Sequence, residues 1–575
     1  MSDFLFSARQ RAPGELHGVL HRYLGAVATE IAEHHGAWGS LAVVHAPHDG
    51  EVVVEDERSI SVLIGLPIAR IAPHAPGLAA RGPRRRAVHE LLGSGQALAW
   101  HERLDSGFAA LRVDTERGGG MVLTDIASFV PVFFADDDGV VVGTHPDAVA
   151  RAAGRHRDID EVSAADLLLN FSSTFPHTLF HGVEQFPPAT ARSFDPRGAW
   201  MDGAHTYWRP TEENPYAGRA DAATALREAL VENLRESCGE LPVAGILLSG
   251  GEDARAVLGA IPTGPEVCAF VYADWENREV RVARDAARAY GAELIFGARR
   301  PDHYLNGLET VAALLGSGQL FMDVHGYGFH ESLGLRELPI VLGGLSSDSF
   351  LKGEHAPPAQ APGAPFPLPD APEMRADLLA AVAERRTVFR RWLEEFRPTT
   401  AQEWEKLYPF TQRKHSANFH GNRRLFASHE PYHSVAIVAL AGAVPLRWKQ
   451  GRALFHQAMK PLFAPSWHVP HSRWRYPYFG RAANLPLTVG LRVARGVRAV
   501  LKGEVRARQG PWPKWRSVVE SPLMAEKRRA YPVTASPMAD VFNATLREEV
   551  EREVAQWHPL RQLLLLQLSY LTRAE

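Results

Sequence analysis

The sequence contains very little cysteine, no long hydrophobic run and no large excess of either charge. Only two of the 575 residues are cysteines, Cys238 and Cys268, which argues against a disulfide framework and indicates a reducing compartment. No window approaches 18 uninterrupted apolar residues, and the N-terminus mixes acidic and basic residues without an apolar core. We therefore expect neither a transmembrane helix nor a secretory signal, and we predict a cytoplasmic protein without a membrane partner.

The charge balance gives no global reason to expect a polyanionic partner, since the formal net charge is only −3. One region, residues 471–531, is strongly basic, with 14 Lys and Arg against three Asp and Glu. It can be interpreted as the solvated face of surface helices or as a docking region for a polyanionic or peptide substrate. Its aromatic stretches, RWRYPYFG and GPWPKWRS, are more typical of cleft walls than of a nucleic-acid platform, so no nucleic-acid partner is expected.

The hydrophobic period changes near residue 210. Before it lie short alternating runs such as SLAVVHA, SISVLIG and FAALRVD, which predict antiparallel strands; one helix is predicted over residues 14–36. From residue 218, strands alternate with helices, which predicts βαβ units and a parallel sheet that binds ligands at the carboxyl ends of its strands. The proline-rich segment 353–374 predicts a loop or extended connector, followed by a mostly helical C-terminal part.

Two apolar runs end in glycine turns that each deliver one aspartate. The first glycine turn (residues 248–252, LSGGE) precedes Asp253, and the second (residues 343–346, GGLS) precedes Ser347 and Asp348. Backbone N–H groups in such a turn, next to a helix N-terminus, favour a bound phosphate. The carboxylates suit Mg²⁺ placed between themselves and phosphate oxygens. One such turn alone is as typical of a purely structural turn, but two at one sheet edge predict a shared metal.

These turns resemble the signatures of the asparagine synthetase superfamily, whose synthetase domain is of the PP-loop ATP pyrophosphatase type. Residues 249–254 resemble the motif SGGxDS, and residues 343–348 resemble the second acidic motif. Residues 105–135 resemble part of the glutaminase-like N-terminal domain, and residues 428–463 resemble the segment that lines the synthetase cleft. The resemblance implies an α/β protein: an Ntn-like α/β/β/α sandwich over residues 1–208, then a parallel-sheet PP-loop (adenine nucleotide α-hydrolase-like) domain with a helical C-terminal part over residues 218–575.

The chemistry implied by this resemblance is a ligase reaction that uses ATP and Mg²⁺. A substrate carboxylate attacks the α-phosphorus, pyrophosphate leaves, and an amine captures the acyl-adenylate as an amide. By resemblance, Asp253 and Asp348 bind the metal. The residues assigned to nucleotide binding are Leu248, Ser249, Gly250, Gly251, Asp253, Ala254, Val271, Gly344 and Leu345. The candidate catalytic cations are Arg475, Arg255 and Lys449, with Lys460 and Lys352 as further candidates.

Several positions depart from the family pattern. Ser2 stands where the glutaminase half has its nucleophilic Cys, so we expect the amine to come from the substrate, as in β-lactam synthetases and lasso peptide cyclases. Ala254 replaces the last serine of the signature, and Arg255 is expected to supply a charged contact instead. Leu345 stands where the family often has Glu or Tyr, so this residue cannot deprotonate the amine. Arg475 replaces a lysine and can stabilise negative charge, but it cannot shuttle protons.

We therefore predict a natural-product lactam synthetase, in its sharpest form a lasso peptide macrolactam cyclase. Its substrate would be a small molecule or peptide carrying a carboxylate and an amine, with a leader protease or precursor-peptide recognition protein as candidate partners. Two alternatives stay open: a catalytically impaired scaffold of the same fold, and a glutamine-dependent asparagine synthetase relative. The formal HExxH pattern at His429–His433 is interpreted as structural or substrate-lining, because Pro431 interrupts the helix that zinc binding needs.

Overall fold

A computed structural model describes most of the chain. The described residues are 2–28, 30–70, 78–79, 81–95, 98–136, 138–353, 366–480, 482–487, 489–490, 493, 510–543 and 549–573. Most of the proline-rich segment, residues 354–365, and part of the basic region, residues 494–509, lie outside them. The expectations for those two stretches therefore stay predictions.

The protein is a mixed α/β structure with several sheets. Its strands are β1 (Asp3–Ser7), β2 (Glu30–Gly36), β3 (Gly39–His45), β4 (Val53–Glu55), β5 (Ser59–Gly65), β6 (Ile68–Ala69), β7 (Leu78–Ala79), β8 (Leu104–Asp105), β9 (Phe108–Asp114), β10 (Gly120–Thr124), β11 (Phe133–Asp136), β12 (Val140–Gly143), β13 (Val183–Gln185), β14 (Thr190–Phe194), β15 (His205–Thr206), β16 (Val243–Leu247), β17 (Glu266–Ala273), β18 (Glu293–Ala298), β19 (Val341–Leu342) and β20 (Ser428–His429).

The helices lie mostly in the second half of the chain. They are α1 (Glu15–Leu24), α2 (Pro83–Leu92), α3 (Trp100–Arg103), α4 (Pro146–Ala152), α5 (Glu161–Asn170), α6 (Arg219–Cys238), α7 (Asp253–Ala260), α8 (Arg278–Ala289), α9 (His303–Asn306), α10 (Leu308–Leu315), α11 (Phe329–Ser332), α12 (Ser347–Leu351), α13 (Ala376–Glu394), α14 (Ala401–Trp404), α15 (Ser416–Leu425), α16 (Val435–Ala443), α17 (Leu446–Lys449), α18 (Ala453–Met459), α19 (Trp515–Val519), α20 (Pro522–Ala530), α21 (Val550–Val554) and α22 (Pro559–Leu571). Among the described residues, no helix combines the length and apolar character needed to cross a membrane.

Two antiparallel six-stranded sheets form the N-terminal part, in the orders β13-β11-β12-β1-β3-β2 and β15-β14-β10-β9-β5-β4. Alternation along β1 explains how they pack. Phe4 and Phe6 face the second sheet, and the Phe6 ring lies 5.4 Å from that of Phe194. Leu5, between them, packs against α1 and α4 on the outer face. Because α2 packs beside β5 of the second sheet, the layers follow the order helix, sheet, sheet, helix.

The helix predicted over residues 14–36 is wrong in its second half. Helix α1 ends at Leu24, and residues 30–36 form β2, which pairs antiparallel with β3 at the sheet edge. The hairpin between them closes at Gly36 and Gly39. Gly39 has a φ of +128°, and a Cβ there would lie 2.2 Å from the Ser7 carbonyl oxygen. The sheet edge therefore overrides a helical pattern in the sequence.

The predicted alternation of strands and helices from residue 218 is confirmed. Strands β18-β17-β16-β19-β20 form a sheet in that order, with every neighbouring pair parallel. One face packs on α6, α7 and α8, and the other packs on α10 and its neighbours. Since both faces are covered, the strands read as short apolar runs. The carboxyl ends of β16, β19 and β20 lie side by side.

A buried charge cluster joins the first strand to the helical part of the chain. Asp3 of β1 is 1% exposed and accepts hydrogen bonds of 2.8 Å from Arg423 Nη2 and from Nε and Nη2 of Arg424, both on α15. Although burial opposes ionisation, these arginines hold the pKa of Asp3 well below its usual range. Removing one partner of such a buried pair typically costs about 3 to 5 kcal/mol.

Candidate functional site

The first glycine turn leads from β16 to α7 under tight constraints. The Leu248 N–H donates to the Phe270 carbonyl at 2.8 Å, which extends the parallel pairing into the turn. A Cβ on Gly250 would lie 3.0 Å from Ser472 Cβ, so a larger residue would push against a neighbouring segment. The Ser249 hydroxyl accepts the Gly251 N–H at 3.1 Å. The turn places Asp253 in the first turn of α7.

The second glycine turn packs directly against the first. A Cβ on Gly344 would lie 2.7 Å from the backbone nitrogen of Ala254. A Cβ on Gly343 would lie 2.0 Å from Glu430 Oε1. Position 344 therefore needs glycine because backbone occupies the space beside it, and a side chain at 343 would have to displace the buried Glu430 carboxylate. The N-terminal ends of α7 and α12 thereby meet at one edge of the parallel sheet.

The two predicted metal-binding aspartates follow the two glycine turns, in the first turns of α7 and α12. Ser347 Oγ donates to Asp253 Oδ1 at 2.5 Å, and Asp348 is the next residue of the chain. The side chains of Asp253 and Asp348 are 31% and 36% exposed. Mg²⁺ in nucleotide sites is held by one or two carboxylates, with water and phosphate oxygens completing its shell. Two partly exposed carboxylates fit that requirement.

Each aspartate also has a buried cationic partner. Lys352, at the end of α12, pairs with Asp253 and lies 3.1 Å from Glu252 Oε1. Burial disfavours its charged form, but Asp253 and Glu252 raise the pKa of Lys352 above its ordinary value, so it is a cation at neutral pH. Arg413 Nη2 donates to Asp348 Oδ1 at 3.1 Å. Lys352, a minor candidate in the sequence, is thus the lysine that lies at the two turns.

The Gly250 amide already has an anionic partner. Its N–H donates to Glu279 Oε1 at 2.7 Å, and its carbonyl accepts the Ser472 N–H at 2.9 Å. Burial raises the pKa of Glu279. The phosphate contact predicted for the Gly250 amide therefore requires Glu279 to move away first. The direct phosphate contact predicted for Gly250 is corrected in this respect, and those predicted for Ser249 and Gly251 stay predictions.

The role predicted for Arg255 does not agree with its position. Arg255 is fully buried in α7, and its Nη1 and Nη2 donate to the carbonyls of Val469 and Pro470 at 2.8 and 3.1 Å. It fixes the segment that leads to Ser472 against α7. Arg255 consequently cannot replace the hydroxyl missing at Ala254 without leaving these carbonyls, because both ends of its guanidinium are engaged.

Lys449 is placed as a structural cation. It is fully buried, pairs with Glu403, and donates to the Ala441 carbonyl at 3.1 Å. The catalytic role predicted for Lys449 is therefore not supported by its position. Arg475, in contrast, lies at the first turn, with Nη2 at 3.0 Å from Glu252 Oε2. Val271 is buried within β17 beside Ala273 and Val280.

Sequence reasoning missed Glu430 as a candidate functional residue. It follows β20 at the same sheet edge, and its Oε2 accepts the Leu345 N–H at 2.8 Å. Burial raises the pKa of Glu430 to about 7. In the sequence, its position directly after a buried strand indicates a site residue, whereas the HExxH pattern that contains it favours a structural interpretation. His429 ends β20 and Pro431–His433 form a single 3₁₀ turn, so the two histidines do not share an α-helix.

Comparisons with known proteins add little to this geometry. No protein-family profile and no curated protein match the sequence. One similar solved structure, described as the allosteric regulatory enzyme of purine biosynthesis, has a TM-score of 0.25 and 10% identity, covering 52% of this chain and 80% of that chain. Another, glutamine phosphoribosylpyrophosphate amidotransferase from B. subtilis, has a TM-score of 0.23 and 9% identity, covering 52% and 81%. Likenesses this weak carry no argument about fold or chemistry.

Proposed function

We propose that the protein is an ATP- and Mg²⁺-dependent ligase that forms an amide bond, with a PP-loop synthetase domain and an Ntn-like N-terminal domain. One observation carries this proposal: two strand-to-glycine turns from distant parts of the sequence pack together. Ser347, the residue before Asp348 in the second turn, donates its hydroxyl to Asp253 of the first. A structural turn needs no partner turn that carries a second, partly exposed carboxylate. Such a pair suits a metal that neutralises phosphate oxygens.

The residues at this edge match the steps of that reaction. Bound ATP with Mg²⁺ would supply an α-phosphorus for attack by the substrate carboxylate, with pyrophosphate as the leaving group and an acyl-adenylate as product. Lys352 would keep Asp253 oriented, and Arg475, 26% exposed, can approach phosphate oxygens. When the amine attacks the acyl carbon and AMP leaves, Glu430 is the candidate to accept the proton, because it lies at the same sheet edge with Oε2 on the Leu345 N–H.

The experiment measures pyrophosphate release from ATP and Mg²⁺ with a panel of carboxylates that also carry an amine. Asp253→Asn should lower the rate at least about 100-fold, because it removes a charge that faces the leaving group. Asp285→Asn is the matched control, because Asp285 is an exposed carboxylate on α8 paired with Arg288, and it should retain the wild-type rate. Equal rates for wild type and Asp253→Asn would refute the assignment.

Within this class we propose a natural-product lactam synthetase or lasso peptide macrolactam cyclase. The support is the serine at position 2, whose hydroxyl is buried and accepts the Ala46 N–H at 3.0 Å, which is a structural use of that side chain. Assays would include a precursor peptide with its leader protease or recognition protein. Release of glutamate from glutamine would instead favour a glutamine-dependent asparagine synthetase relative.

A second candidate, a binding scaffold with impaired catalysis, is favoured by the Glu279 carboxylate on the Gly250 amide. Under this hypothesis the first turn keeps its shape without admitting a phosphate. Calorimetry with ATP and Mg²⁺ separates the two candidates: the ligase should bind the nucleotide, and the scaffold should show no heat of binding. Absence of both nucleotide binding and turnover would support the scaffold.

A further inference from the structure

Glu252, the fourth residue of the SGGED stretch, is a buried carboxylate surrounded by three cations. Its side chain is 6% exposed. Arg452 Nη1 lies 2.9 Å from Oε1, Lys352 Nζ lies 3.1 Å from Oε1, and Arg475 Nη2 lies 3.0 Å from Oε2. The cations come from the start of α18, the end of α12 and the segment after Ser472. Glu252 therefore gathers charges from three separate segments beside the first glycine turn.

The three cations differ in how firmly they are held. Lys352 has a side chain that is 2% exposed, and it also pairs with Asp253. Arg452 and Arg475 are 20% and 26% exposed. The contact of Arg475 Nη2 with Glu252 is close, but it lacks the alignment of a hydrogen bond. Lys352 is thus fixed, while the two arginines can exchange one anionic partner for another.

Phosphate groups are stronger partners for these arginines than Glu252 is. Guanidinium groups bind phosphate oxygens through paired, charge-assisted hydrogen bonds, and pyrophosphate carries more charge than one carboxylate. Near the turn, Glu252 pairs with Lys352, Arg452 and Arg475, Asp253 pairs with Lys352, and Glu279 accepts the Gly250 N–H. Without a ligand, the two arginines are paired with a protein carboxylate, so a phosphate has to compete for them.

We propose that Glu252 is a positioning residue that holds Arg452 and Arg475 beside the first glycine turn and releases them to the phosphate groups of the nucleotide. This inference rests on the proposed function and names the groups that would recognise the pyrophosphate part of ATP. Phosphate binding then has a free-energy cost, because each arginine must leave Glu252 to bind phosphate. Glu252 thereby sets how tightly the site binds phosphate anions.

The test is calorimetric binding of inorganic pyrophosphate at fixed ionic strength. Glu252→Gln should bind pyrophosphate about tenfold more tightly than wild type, because its arginines no longer have a competing carboxylate. Glu276→Gln is the matched control. It removes the same charge at the same sheet edge, where the exposed Glu276 pairs with Arg284 of α8, and its affinity should change less than twofold. Unchanged or weaker binding by Glu252→Gln would overturn the proposal.

Two further measurements cover misfolding and failure of the proposed function. If Glu252→Gln does not fold, as judged by its unfolding midpoint, Arg452→Gln and Arg475→Gln are tested in the wild-type background. Each should weaken pyrophosphate binding several-fold, and no effect of either would overturn the proposal. Absence of ATP turnover in the wild type counts against the ligase, whereas the pyrophosphate affinities of the variants decide the role of Glu252 independently of turnover.

Discussion

Replacement of Glu430 by glutamine should remove a pH dependence of stability that the folded structure creates. Glu430 is 3% exposed, and burial raises its pKa from 4.5 to about 7. The folded state therefore keeps a proton that the unfolded state releases between about pH 4.5 and 7. Such a shift corresponds to about 3 kcal/mol of differential stability. Below pH 4.5 both states bind the proton, and this contribution vanishes.

The number of protons bound by each state decides whether stability rises or falls with pH. Because the folded state binds more protons, the wild type loses stability as the pH rises through this window, and the loss is complete above about pH 7. Glu430→Gln cannot ionise but can still accept the Leu345 N–H. Relative to wild type, the variant should therefore gain about 3 kcal/mol between pH 4.5 and 8.

The assay is thermal unfolding of wild type and Glu430→Gln at matched ionic strength from pH 5 to 9. The difference between the two midpoints should move by a few degrees in favour of the variant as the pH rises. Infrared difference spectra between pH 6 and 9 should show loss of one more protonated carboxyl group in wild type than in Glu430→Gln, because Asp125 and Asp147, whose pKa values burial raises to about 6, titrate in both proteins. A midpoint difference that does not vary with pH would refute the assignment of a raised pKa to this residue.

Three other substitutions test separate parts of the structure. Gly343→Ala places a Cβ 2.0 Å from Glu430 Oε1. It should lower the unfolding free energy by about 2 kcal/mol or more and the rate of pyrophosphate release at least about tenfold, and wild-type values of both would contradict the close packing. Lys449→Met leaves Glu403 buried without its lysine, so the protein should lose about 3 to 5 kcal/mol of unfolding free energy while the activity per folded molecule stays unchanged. A selective loss of activity would restore a catalytic role for Lys449. Asp125→Ala leaves the N–H groups of Phe108, Ala127, Phe129 and Val130 without their acceptor and should cost more than about 4 kcal/mol, compared by thermal unfolding with the exposed Asp138→Ala.

Some of the site could be predicted from the sequence because it depends on strand order and turn chemistry. An apolar strand that ends in Ser249-Gly250-Gly251 or in Gly343-Gly344 must deliver the next residues to a sheet edge, and parallel strands share that edge. The packing of the two turns, with Ser347 Oγ on Asp253, follows from this rule, and a metal shared by Asp253 and Asp348 stays a prediction. The glycines at 343 and 344 could be predicted, although the atoms that require them, in Glu430 and Ala254, could not.

Other features depend on contacts between distant segments, which no local pattern encodes. Arg255 follows Asp253 directly, so proximity in sequence suggested a phosphate contact, but its side chain points to the carbonyls of Val469 and Pro470. Lys352 lies four residues after Asp348 and returns to Asp253 across the turn. The strand at residues 30–36 has a helical pattern, and only its pairing with β3 decides its conformation.

The bonds between Asp3 and the arginines of α15 have a consequence for any attempt to divide the molecule. They join residues separated by 420 positions in the chain, so a fragment ending near residue 208 would contain the Asp3 carboxylate without its arginines. A fragment beginning near residue 218 would contain two buried guanidinium groups facing a missing strand. Each half thus lacks the partners that this charge cluster finds on the other half. The first two hundred residues therefore stabilise the second half, whatever chemistry they perform themselves.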